Sequence, residues 1–202
     1  MYDPENILSI LHSFEKKNTQ YTGITFSARQ YFFVDPMIPY ENGKPGVGNK
    51  LAFEMFIQKM KPGYYVSMDG NDLKRINKIS HIAGDLAIKS IGKALRNATL
   101  HITDSTDVSN LSPEGADLNL HRFKLFRSGG DEFLLYCEKK ENVFIFLENA
   151  IQEIDKIEVV NDSKLSLSFG IGITYSDAED ALAEAKNKKT QHSTNLIHSN
   201  LF

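Results

Sequence analysis

Three carboxylates and a small set of lysines hold most of the chemistry this sequence can offer. Asp131 and Glu132 follow two glycines in the run Phe126-Arg127-Ser128-Gly129-Gly130-Asp131-Glu132-Phe133. An alternating stretch, Phe123-Lys124-Leu125-Phe126, leads in, and an apolar one, Phe133-Leu134-Leu135-Tyr136-Cys137, leads out. Gly-Gly between two strand-like runs predicts a hairpin, because glycine accepts the positive φ of a tight turn. Asp69 closes a second β-type run, Tyr64-Tyr65-Val66-Ser67-Met68. Taken alone, each acid reads more readily as a solvated turn or strand end. Brought to one sheet edge, they would raise one another's pKa unless a cation neutralised them. Mg²⁺ and similar hard ions take such oxygen ligands together with substrate phosphates. Two such ions can hold the attacking and leaving oxygens of a phosphoryl transfer.

The elements that must position these groups alternate along the chain. Residues 3–16 predict a short helix, with Asp3 as cap, Pro4 in the first turn, and Ile7, Leu8, Leu11 and Phe14 on one face. Tyr31-Phe32-Phe33-Val34 is a candidate strand. Glu41 to Gly48 is a turn-rich hinge and the predicted domain boundary. Phe53, Phe56, Ile57 and Met60 have helical spacing, as do Ile88, Ile91, Leu95 and Ala98, and later Val143, Leu147, Ile151 and Ile154. Residues 103–120 are polar and loop-like, long for a compact domain, and predict an insertion. Leu165 to Ile173 alternates strictly, apolar on one face and Ser/Gly on the other. A Ser-x-x-Glu box from Ser176 to Glu179 predicts the start of a last helix, with Ala178, Ala181, Leu182 and Ala185 inward. The plan is α/β, a sheet covered by helices. The predicted units are residues 1–41, a catalytic unit over 42–190, and a tail over 191–202.

Composition narrows the class. With 202 residues, 41% hydrophobic and 24% charged, the chain suits one globular domain with appendages. A net charge of −3 argues against nucleic acid held by bulk electrostatics. No apolar run predicts a membrane span, and the first residues are not a signal peptide. One cysteine, Cys137, in a predicted buried strand, excludes a disulfide framework and fits a cytoplasmic protein. The glycine-rich stretch Gly43 to Lys50 is not a phosphate loop, since Asn49 stands where its lysine is required.

The spacing of the candidate residues carries a resemblance. Asp69-x-x-x-x-Lys74-x-x-Asn77, then His81-x-x-Gly84-Asp85, then Gly129-Gly130-Asp131-Glu132-Phe133 resembles the GGDEF-domain diguanylate cyclases. Gly46-Val47-Gly48-Asn49-Lys50 looks like that family's Gly-Leu-x-Asn-Arg turn. The Leu165–Ile173 run and Ala185-Lys186 look like its serine-glycine strand and Ala-Lys helix. The resemblance implies a nucleotidyl-cyclase fold like that of polymerase palms, with a mostly antiparallel sheet. It implies Mg²⁺ or Mn²⁺ on Asp69, the Gly70 carbonyl, Asp131 and Glu132, with Asp131 also helping to activate a 3′-hydroxyl. Lys74 and Lys186 would meet the triphosphate, Lys74 as part of the catalytic set with Asp131 and Glu132, alongside backbone amides near Asp72 and Leu73. Asn77 and Asp85 would read the guanine edge. The implied reaction joins two GTP, one on each protomer of a homodimer, into cyclic di-GMP and two pyrophosphates. No nucleic-acid or membrane partner is implied.

The pattern is not complete. The stretch from Asn77 to His81 is one residue shorter than the family's, Ser128 replaces a tyrosine, and Thr190 stands where an arginine is usual. Lys188 or Lys189 offers a charge there without the arginine fork. The Arg-x-x-Asp that binds product is absent, its positions being Leu120 and Phe123, so product inhibition through that site is not expected. Two other readings therefore stay open: a nucleotide-binding module of little activity, and a cyclase making another dinucleotide.

Overall fold

The computed structural model describes residues 33–39, 41–42, 44–58, 62–71, 73–102, 125–158, 164–188 and 196–199. The expected helix at 3–16, the insertion at 103–120, Asp72, Lys189 and Thr190 lie outside them. In chain order the elements are α1 (Lys50–Gln58), β1 (Tyr64–Gly70), α2 (Leu73–Ile79), α3 (His81–Thr99), β2 (Leu125–Gly129), β3 (Glu132–Cys137), α4 (Lys140–Asp155), β4 (Leu167–Gly172), α5 (Tyr175–Asn187) and β5 (Leu196–Ser199). They form the mixed α/β plan read from the sequence: a five-stranded sheet in the order β2-β3-β1-β4-β5, antiparallel except for the β4–β5 pair.

Alternation along the strands builds two cores. Val66 and Met68 of β1, Phe133 and Leu135 of β3, and Leu167, Phe169 and Ile171 of β4 share one face. There they meet Ile91 and Leu95 of α3 and Val143, Phe146 and Ala150 of α4. Tyr65, Leu134, Tyr136 and Phe126 point to the other face, against Ala52, Met55 and Phe56 of α1 and Ala178 of α5. Phe56 stacks on Phe126 with ring centroids 4.7 Å apart. Successive strand residues face opposite ways, so Asp69, one beyond Met68, falls on the face covered by α1 and α5.

The Ser/Gly face of β4 is not solvated. Ser166 and Ser168 are buried, and α5 lies so close that a Cβ on Gly170 would sit 2.2 Å from the Ala178 carbonyl and the Leu182 amide. A Cβ on Gly172 would meet Ala178 N at 2.4 Å. The glycines are there for the approach of a helix. That helix begins two residues earlier than its sequence suggests. Thr174 Oγ1 accepts from Asp177 N at 3.1 Å, and Asp177 Oδ2 accepts from Thr174 N at 3.1 Å, so Thr174–Asp177 is the capping box and Ser176–Glu179 is not. Its inward face, Ala178, Ala181, Leu182 and Ala185, is the expected one.

A strand also appears within the stretch expected as a tail: Leu196–Ser199 pairs in parallel with β4. No helix among the described residues is long and apolar enough to cross a membrane.

Candidate active site

The site grows from the C-terminal end of β1, the central strand. Asp69 stands opposite Glu132 of β3 on one side and Ser168 of β4 on the other. The β2–β3 turn brings Asp131 to the same edge. Gly130 has φ of +30°, a conformation glycine adopts without a Cβ penalty, and the ladder shifts register between Arg127 and Gly129. The Gly70 amide donates to the Asp131 carbonyl at 3.2 Å. A Cβ on Gly70 would lie 3.2 Å from Asp131 Cβ and 2.4 Å from Leu73 Cδ1, so β1 and the turn touch backbone to backbone. Burial, and next the charge of Asp69, push the half-buried Asp131 carboxyl above the ordinary carboxylate range; Glu132 adds to this and Lys186 opposes it. Glu132 itself is exposed.

Lys186 reaches this edge from the last turn of α5. Its Nζ lies 2.7 Å from Asp69 Oδ2. The donors here, three carboxylates and the carbonyl expected of Gly70, are all oxygen, which suits a hard divalent ion. The upward push on Asp131 comes first from burial and then from the charge of Asp69, and a cation at this edge would oppose both. Among the described residues, however, no three His, Cys, Asp or Glu side chains are drawn together as a ready-made metal site.

The other predicted residues lie on α2 and α3. Leu73, the first residue of α2, is buried and packs into the core, leaving its backbone at the helix start. Lys74 is exposed on the same turn. Asn77 lies over Gly84: a Cβ there would be 1.6 Å from Asn77 Oδ1, so the glycine makes room for the amide. Asp85, the next residue, is exposed on α3. Only Ser80 separates the two helices, the structural form of the shortened Asn77–His81 stretch. The structure thus gathers Asp69, Gly70, Asp131, Glu132 and Lys186 at one edge, and sets Asn77 beside the residue preceding Asp85.

Two supports escaped the sequence reading. Arg127 donates from Nε to the Gly130 carbonyl at 2.8 Å and from Nη1 to Asp35 Oδ2 at 2.9 Å. It ties the acidic turn to a buried carboxylate 92 residues away, which also accepts from Met37 N at 2.8 Å. An arginine two residues before the Gly-Gly turn was the available signal. Beneath the site, Asn71 donates from Nδ2 to Ser166 Oγ at 3.0 Å and accepts from Ser168 Oγ at 2.9 Å. These buried bonds fix the exit of β1 against β4; Asn71 lies more than 90 residues from the two serines, so no local sign of it exists.

No protein-family model matches the chain, and no curated protein matches it in sequence. Solved structures do match. One is a diguanylate cyclase/phosphodiesterase from Caldicellulosiruptor saccharolyticus, at TM-score 0.55 and 16% identity, covering 87% of this chain and 98% of that one. Another is the diguanylate cyclase SiaD from Pseudomonas aeruginosa, solved with its activator SiaC, at TM-score 0.54 and 17% identity over 95% of this chain and 71% of that one. The coiled coil and GGDEF domain of DgcB from Caulobacter crescentus, solved with c-di-GMP, gives TM-score 0.53 and 13% identity over 96% and 98%. The fold is therefore that of GGDEF domains, as the motif spacing implied. At these identities the agreement is one of fold.

Proposed function

We propose that the chain is a GGDEF-family diguanylate cyclase, dependent on Mg²⁺ or Mn²⁺, that joins two GTP into cyclic di-GMP with release of two pyrophosphates. The observation that supports it most is the placing of Asp69, Asp131 and Glu132 at one sheet edge with Lys186 reaching into it. In this reading Asp69, Asp131, Glu132 and the Gly70 carbonyl hold the cation, which supplies charge neutralisation at the reacting phosphate. Asp131, at the same edge, also helps to activate the attacking 3′-hydroxyl. Lys74, Lys186 and the backbone at Asp72 and Leu73 hold the triphosphate. The carboxylate of Asp85 accepts from guanine N1–H and its exocyclic amine, with Asn77 beside it. Adenine has no N1–H and would leave that carboxylate unpaired, a mismatch that discriminates strongly.

Each protomer offers one nucleotide, so the 3′-hydroxyl of one GTP must meet the α-phosphate of another across a homodimer. Turnover per protomer then rises with protein concentration before levelling off. Constant specific activity down to dilutions where sedimentation finds only monomer would remove the two-protomer step.

A second reading, a nucleotide-binding module of low activity, is favoured by the single-residue Ser80 junction between the helices that carry Asn77 and Asp85. Pure protein incubated with Mg²⁺ and GTP, ATP or both, with products identified by mass spectrometry, separates the readings. Cyclic di-GMP from GTP alone is the expected result. Bound but unconverted GTP supports the second reading, and a mixed or adenine-containing product replaces the diguanylate assignment.

A further inference from the structure

Lys186 does something at this edge that a phosphate-binding lysine need not do. Its ammonium is 2.7 Å from Asp69, a side chain only 17% exposed, while its own side chain is 40% exposed. The same charge counteracts the forces that push Asp131 upward. Among the described residues, Lys186 is thus a cation paired with the acidic edge. The base of its side chain cannot drift away, because α5 is held against β4 at the contact distances of Gly170 and Gly172. The ammonium itself sits on a flexible four-carbon stem and can swing.

We propose that Lys186 is a tethered counter-ion of the acidic edge, exchanged for a divalent cation only when that cation arrives with a nucleoside triphosphate. The proposal rests on the metal-dependent reading above. A bare divalent ion approaching Asp69 must break the ion pair and then sit beside the displaced ammonium, like charge against like. A triphosphate changes the balance by giving the ammonium a new anionic partner within reach of the same tether. Metal and nucleotide then bind with mutual help, each raising the affinity for the other by the same factor. The exchange asks for rotation of one side chain and no movement of the helix.

The test is Mn²⁺ binding, followed by the electron paramagnetic resonance signal of the free ion, with the whole chain and no turnover. Wild-type protein is expected to bind Mn²⁺ weakly alone and much more tightly with a GTP analogue whose α–β bridge is methylene. Lys186→Met removes the tethered charge and keeps most of the stem. It should tighten nucleotide-free Mn²⁺ binding by about fivefold, the equilibrium weight of a partly exposed ion pair, and weaken analogue binding. Lys186→Arg, which keeps the charge, should leave nucleotide-free Mn²⁺ affinity near wild type. Far-UV circular dichroism checks that each variant is folded, and Lys186→Gln repeats the test should Lys186→Met not fold. Unchanged or weaker Mn²⁺ binding in the neutral variants, with wild type binding Mn²⁺ in the presence of the analogue, overturns the counter-ion role and leaves the metal site standing. If wild type and the neutral variants fail to bind Mn²⁺ with or without the analogue, the metal-dependent reading falls and this inference with it.

Discussion

Asp69, Glu132 and Ser168 stand in register on three adjacent strands, whereas Asn77 and Asp85 sit on two helices joined through Ser80 alone. The acidic edge inherits its geometry from the centre of the sheet, from the Asn71–Ser166–Ser168 bonds below it and from the Arg127 clamp on its turn. On the helices, Asn77 is seated on Gly84 and Asp85 is exposed. The difference separates two demands. In the proposed function, the groups that hold charge against charge are fixed by the backbone of the sheet and its turn, while the groups proposed to read a nucleobase sit on helices, at lower structural cost to change. Substitutions at the edge should therefore damage stability and activity together or activity outright, and those on the helices should shift selectivity alone.

The largest effect is expected from Asp69→Ala or Asp131→Ala, each lowering cyclic di-GMP formation by roughly 10³-fold or more, because a ligand to the reacting charge is lost. Cyclisation assays on folded protein check this, and near-wild-type turnover in either would take that residue out of the site. Next comes Gly170→Val. Its Cβ would meet backbone atoms of α5 at 2.2 Å, so the helix must lift, carrying Lys186 with it. The expected cost is about 3 kcal/mol in urea unfolding, with activity lost in proportion to the displacement. Unaltered stability would mean that α5 is not held by this contact.

Arg127→Met strips the guanidinium from the acidic turn and from Asp35, a carboxylate only 4% exposed. We expect a loss of about 2 kcal/mol, together with a fall in kcat that Arg127→Lys restores only in part. Asp85→Ser tests the other side of the comparison. It should leave the melting temperature nearly unchanged, as exposed positions do, while lowering GTP turnover against ATP turnover by about tenfold, the weight of a hydrogen bond to a charged acceptor. Equal losses for both nucleotides would show that Asp85 does not read the base.

The smallest effect is thermodynamic. Asp131 has its folded pKa raised, first by burial and then by Asp69, so the folded state prefers it protonated. Above that pKa the ionised carboxylate lowers stability relative to the unfolded chain, and below the ordinary carboxylate range, where both states are protonated, it does not. Asp131→Asn, in chelator-containing buffer, should therefore melt at a higher temperature than wild type at neutral pH. The advantage should fade as the pH falls through the folded and then the unfolded pKa. A gain that persists unchanged into acid would point to packing instead.

The edge was readable from sequence because its parts announce themselves locally. Asp69 closes a β-type run, Gly129-Gly130 sets a hairpin before Asp131, and the Ser/Gly alternation of β4 is period two. Arg127–Asp35 and Asn71–Ser166–Ser168 were not readable, since both join segments more than 90 residues apart through side-chain bonds. The Ser/Gly face was recognised as a pattern but not as a helix-docking surface, because packing distance is a property of the folded pair. The start of α5 was misplaced for a related reason: Thr174-Tyr175-Ser176-Asp177-Ala178-Glu179 offers two overlapping caps, and the length of β4 decides between them. Strand β5 has only four residues, too short for periodicity to separate from a tail.

That short strand has a consequence for how the protein is handled. Beyond β4 on one side and β2 on the other, the sheet has two flanks, and each has a short cover. Gly48 bridges to Phe126 along β2, donating to the Leu125 carbonyl and accepting from Arg127 N, and β5 lies along β4. A chain cut after Asn187 would bare the backbone N–H and C=O groups of β4, a template on which a second molecule can add a strand. Such a truncated protein is expected to keep its core and to self-associate along β4, which light scattering over a range of concentrations would register.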